Sequence, residues 1–118
     1  MTKDILLNLS VQYAIDAVKF CKTLTEHKEY ILSKQLLRSA TSIGANLHEA
    51  KYAQSRADFI NKLQISLKEC HETEFWLTVI SNSSCFKEVE AECIGMIRKA
   101  GQIRWKLISS LKTTKNLQ

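Results

Sequence analysis

Hydrophobic positions recur every three or four residues along nearly the whole chain, with polar positions between them. This period predicts helices rather than strands. The first predicted helix covers residues 8–25, with Val11, Ala14, Ile15, Val18 and Cys21 on its inner face. The stretch "TEHKEYIL" interrupts the pattern, and Ser33 is placed to cap the next helix by accepting a backbone N–H from its first turn. That helix, over residues 34–53, has the stripe Leu36, Ala40, Ile43, Leu47 and Ala50. In "SRAD", Ser55 and Asp58 make a capping-box pattern, with Asp in place of the usual Glu or Gln. A third helix over residues 56–80 then turns Ile60, Leu63, Leu67 and Cys70 inward, flanked by Phe59 and Leu77. One continuous helix through Ser55 is the alternative. "SNSSCF" reads as a loop. The fourth helix, over residues 87–111, has the stripe Val89, Cys93, Met96, Ala100, Ile103, Leu107 and Leu111. The tail "KTTKNLQ" is expected to fray. The short link at Gln54–Ser55 makes helices two and three antiparallel neighbours. Together, four amphipathic helices on short loops predict an all-α, antiparallel up-down-up-down four-helix bundle.

The outer faces are drier than solvent would favour. Opposite its core stripe, helix two presents Leu37, Thr41, Ala45, His48 and Tyr52, with Lys34 as the lone cation. Helix three places Ile65 and Trp76 on its outer face, and helix four adds Trp105 beside its stripe. A helix without a charged face is usually covered on several sides. A second subunit is the expected cover, with Leu37, Tyr52, Ile65, Trp76 and Trp105 at the interface. Asn46, Glu49, Glu69 and Arg104 are read as a structural polar network. Arg104 cannot shed its charge if buried, so it needs a carboxylate, with Glu49 and Glu69 as the candidates.

Composition narrows the class. The 118 residues suit one domain, contain no proline and only three glycines, and leave long helices unbroken. The N-terminal apolar patch is too short for a signal peptide, and no run approaches the ~20 apolar residues of a membrane span, so a cytoplasmic protein is expected. Cys21, Cys70, Cys85 and Cys93 show no C-x-x-C spacing; the three on apolar faces read as small hydrophobes. No Glu-x-x-His pair of the kind that builds di-metal bundle sites occurs, and no nucleophile signature or phosphate loop is present. No cofactor and no enzymatic activity are expected.

Charge adds one pointer. The net charge is +5, and no acid follows Glu92. Arg98, Lys99, Lys106 and Lys112 are the candidate nucleic-acid-binding residues, acting on backbone rather than base sequence. Lys99 and Lys106 share one side of the helix; Arg98 and Lys112 lie on another. The competing expectation is a scaffold that docks a partner protein, its basicity incidental.

"LLRSATSIGANLHEA" followed by "SRADFINKLQISLKECHETEFWL" resembles the four-helix bundle proteins encoded in intervening sequences of bacterial 23S rRNA genes. Gln35, Arg38, Ala40, Ser42, Ile43, Asn46, Leu47 and Glu49 carry the first part of the pattern. Asp58, Phe59, Lys62, Leu63, Ile65, Leu67, Glu69, Glu72, Trp76 and Leu77 carry the second. Ser66 departs from it, where alanine is frequent. The resemblance implies a bacterial, ring-like homo-oligomer, commonly a pentamer, with no established enzymatic activity. A related branch, the accessory proteins of diversity-generating retroelements, acts with nucleic acid through a basic ring.

Overall fold

The stripes of helices two and four face inward along their whole length. All five residues of the first stripe and all seven of the second are buried. A computed structural model of the chain describes the backbone of residues 2–116 and the side chains of residues 5–115. The helices are α1 (Thr2–Glu26), α2 (Tyr30–Ala50), α3 (Arg56–Ser83) and α4 (Lys87–Asn116). No strand occurs among the described residues. Each helix touches two others, α1 with α2 and α4, α3 with α2 and α4. The four therefore close around one core as a four-helix bundle, with α1 diagonal to α3. The body measures 49 × 20 × 20 Å. No helix among the described residues is long and apolar enough to cross a membrane.

Several expected boundaries move outward. α1 begins at Thr2, and α4 continues to Asn116 through most of the stretch expected to fray; residues 117 and 118 lie outside the described residues. α2 starts at Tyr30, with Glu29 at its N-cap and no side-chain cap bond, and ends at Ala50, short of the expected end at 53. The turn before it is tight because Lys28 takes a left-handed conformation (φ 64°) and the Glu29 N–H reaches back to the Leu24 carbonyl at 2.9 Å. Ser33 is therefore not the cap. It lies buried inside α2, its hydroxyl donating to the Cys21 carbonyl at 3.3 Å while the Cys21 thiol donates to the Ser33 carbonyl at 3.4 Å. The cap on α3 forms as expected: Ser55 Oγ accepts from the Asp58 N–H at 3.0 Å. In return the Asp58 carboxylate accepts from the Gln54 N–H at 3.2 Å.

The inner face of α1 differs from the expected one. Val11, Ile15 and Val18 are exposed, and only Cys21 of that stripe is buried, with Ala14 half-buried. The core instead takes Leu6, Tyr13, Ala17, Phe20 and Leu24. α1 carries two apolar lines, and the one with two aromatic rings buries more surface, which decides the rotation. Ser10 falls on that inner line and is small enough to meet Gly44 of α2; a Cβ on Gly44 would stand 3.2 Å from Ser10 Oγ.

α3 buries two hydroxyls that its apolar pattern does not announce. Ser66 donates to the Ile43 carbonyl at 2.8 Å, and Thr73 lies 3.0 Å from Ser39 Oγ and 2.8 Å from the Glu69 carbonyl. Each buried hydroxyl thus has a partner, as burial requires. Burial pushes the Cys70 and Cys93 thiols up to about 12 and raises Cys21 as well, so all three stay protonated hydrophobes.

Candidate interaction surfaces

With its core stripe turned in, α4 sets its basic side chains along two outer lines. Lys99 does not stand free. Its ammonium meets the Asp16 carboxylate of α1 at 3.0 Å. Burial alone would raise the Asp16 carboxyl, but hydrogen bonds from Lys99 and Gln12 outweigh it and hold the group below its ordinary value. Lys106, half-buried, shares the line of Lys99. Arg98 and Lys112 are exposed on the other line, at helical spacing with Ile94, Gly101 and Trp105. Among the described residues Arg98, Lys106 and Lys112 have no ion-pair partner, and no acidic residue follows Glu92.

The residues expected to form one polar network are distributed over separate contacts. Arg104 pairs with Glu74, at 2.9 and 3.1 Å, and not with Glu49 or Glu69. Glu69 receives Arg38 at 3.3 Å, and the same guanidinium bonds Glu72. Glu49 meets Lys62 at 2.8 Å on the surface, where that hydrogen bond raises the Lys62 ammonium's affinity for its proton. Asn46 donates to the Ser42 carbonyl one turn back at 2.8 Å. The ion pairs seal the joints of α3 with α2 and α4, while the Asn46 bond stays within α2. Helical period alone does not reveal such pairings, because they depend on how far one helix is offset along its neighbour. Among the described residues, no three His, Cys, Asp or Glu side chains gather as a metal-ligand set.

The expected interface residues divide in two. Leu37 and Trp76 lean onto the core, with Trp76 donating to Glu72 at 3.3 Å, and Ile65 is half-buried. Tyr52 and Trp105 stand out into solvent, each 70% exposed. Val11, Ile15 and Val18, expected inside, form a further dry surface. These three line a shallow hollow of about 370 Å³ with Ala14 of α1 and with Thr41, Gly44, Ala45 and His48 of α2. The signal that would have found it is the second, larger stripe of α1, built on Tyr13 and Phe20. On α3, Phe75 is 58% exposed, as is Ile94 on α4. Phe75 and Trp105 directly follow Glu74 and Arg104, which face each other, so both rings stand on the outer side of that ion pair.

No curated protein matches the chain. A solved protein of unknown function from the S23 ribosomal protein family of Bacteroides thetaiotaomicron VPI-5482 is similar at 42% identity, with TM-score 0.90 over 95% of this chain and 99% of that one. Residues 3–108 match the model of the 23S rRNA-intervening sequence protein family, and with the four-helix bundle described above the chain belongs to that family.

Proposed function

We propose that this chain is a non-enzymatic, homo-oligomeric accessory protein of the bacterial cytoplasm that holds RNA or DNA by its phosphate backbone through α4. The observation that carries this reading is the acid-free stretch after Glu92, on which Arg98, Lys106 and Lys112 have no ion-pair partner among the described residues. Repeated around a ring-like assembly, a pentamer by the family resemblance, these charges sum to a field that attracts polyanions. An antiparallel up-down-up-down order underlies the reading. Partner numbers fall along one helix as they rise along the next: Ser10 meets Gly44 and Cys21 meets Ser33, while Tyr13 meets Met96 and His27 meets Glu88.

Fluorescence anisotropy with labelled single-stranded RNA and duplex DNA across a salt series tests it. Affinity should fall log-linearly with salt, and Lys106→Glu with Lys112→Glu should weaken every sequence alike and flatten the salt slope. An absence of binding at ~50 mM salt and micromolar protein overturns the nucleic-acid reading. A scaffold that docks protein is then favoured. Its supporting observation is the exposed apolar surface on α1 and around Trp105.

A further inference from the structure

The hollow on α1 and α2 and the line through Trp105 on α4 lie on opposite sides of the bundle, since α1 and α2 form one joint and α3 and α4 the opposite one. Their shapes differ. The hollow is floored by small residues, Ala14, Thr41, Gly44 and Ala45, and walled by Val11, Ile15 and Val18. The opposite side protrudes, with Trp105 70% exposed and Ile94 and Phe75 each 58%. A concave face does not mate with itself about a two-fold axis, and neither does a ridge, but each complements the other. Two complementary patches on opposite sides of one chain build a head-to-tail contact, which closes into a ring when the rotation allows.

We propose that the α1/α2 hollow of one copy of this chain receives the Trp105 ridge of a second copy. This docking rests on the homo-oligomer reading above and specifies its contact. A foreign partner would account for one dry face, whereas a second copy accounts for both. The area suffices: one side of the bundle, 49 by 20 Å, offers roughly 1,000 Å² against the ~800 Å² each partner gives to a standard interface. An indole entering a hollow of small residues, ringed by aliphatic side chains, is the usual form of an interface anchor. Lys112 continues the line beyond Trp105 and falls at the rim, where charges stay wet, while Arg98, between Ile94 and Trp105, extends its long side chain past the ridge to reach water. The free basic surface of the assembly is then narrowed toward Lys106.

Two variants, each defective in one half, test this by mixing. The hollow variant is Val11→Glu with Ile15→Glu; the ridge variant is Ile94→Glu with Trp105→Glu. All four positions are exposed in the single chain. Native mass spectrometry at tens of micromolar should give an assembly of three or more copies for the unmodified protein and monomers for each variant alone. The equimolar mixture should give a one-to-one dimer and nothing larger, because each variant keeps one intact half. Helical circular dichroism checks folding. If the carboxylates unfold α1, Val11→Thr with Ile15→Gln replaces the hollow variant and must give the same dimer. A mixture of folded variants that stays monomeric, or variants that assemble like the unmodified protein, overturns the docking while leaving the homo-oligomer reading in place. An unmodified protein that is itself monomeric overturns both.

Discussion

α1 and α3 occupy diagonal corners of the bundle, each packed between α2 and α4, and have similar lengths of 25 and 28 residues. Their outer surfaces are unlike. On α3, Glu69 and Glu72 share Arg38, Glu74 holds Arg104, and Lys62 holds Glu49. The rest of its outside is largely Asn61, Gln64, Lys68, His71 and Thr78, with Phe75 its exposed large apolar side chain. On α1 the exposed apolar residues Ile5, Leu9, Val11, Ile15 and Val18 stand among Asn8, Gln12, Lys19 and Lys22, and Asp16 makes its ion pair on the α4 side. α3 has a surface finished except at Phe75. α1 has two apolar lines, one used by the core and one left for something else. Cross-helix ion pairs occupy most of the outside of α3, whereas on α1 a second apolar line lies beside the one that carries Tyr13 and Phe20.

The sharpest way to break this contrast is to remove the size difference between those two lines. Phe20→Ala should cost ~3–5 kcal/mol in urea unfolding, because the ring is 1% exposed and its space cannot easily collapse; a loss below ~1 kcal/mol would mean that α1 can rotate onto its other line. Gly44→Val attacks the joint of α1 with α2, where a Cβ already meets Ser10 Oγ at 3.2 Å and the Ser10 carbonyl oxygen at 3.4 Å. Overpacking there should lower stability by ~1–3 kcal/mol in a thermal melt, against the gain in helix propensity on replacing glycine. On the α3 side, Thr73→Val removes a buried hydroxyl while Ser39 keeps its bond to the Leu36 carbonyl, so the loss should be about 1 kcal/mol.

Asp16→Asn gives the smallest effect and a pH signature. The partly exposed pair with Lys99 should contribute under ~1 kcal/mol at neutral pH. The folded state holds the Asp16 carboxyl below its ordinary value, so the contribution is complete above the unfolded carboxyl's titration near pH 4 and disappears as pH falls through the lower folded one. Melts of the two proteins should therefore converge in acid. A difference that persists at pH 2 would locate the effect in packing instead.

The stripes of α2 and α4 and the Ser55 cap were legible in the sequence because each depends on spacing within one helix. The same spacing defines which α1 residues share a line but not which line turns inward, hence the exchange of Val11, Ile15 and Val18 for Tyr13 and Phe20. Ser66 and Thr73 were opaque because a hydroxyl's burial depends on acceptors such as the Ile43 carbonyl and Ser39 Oγ, which a neighbouring helix brings near. The Arg104 partner was misplaced for a related reason: Glu74 is nearest only once the offset between α3 and α4 is known. The interface residues followed the same rule, with Trp105 outside and Trp76 leaning onto the core.

Tyr13 makes the core an alkaline fuse. Its phenol is 2% exposed and donates to the Met96 carbonyl at 2.9 Å, and burial raises its hold on the proton far above the ordinary phenol range. That stabilisation is complete below the unfolded phenol's titration near 10 and drains away as pH climbs beyond it. In a spectrophotometric titration, phenolate absorbance from Tyr13 should appear only together with the collapse of helical dichroism, so a single ring reports the moment the bundle opens.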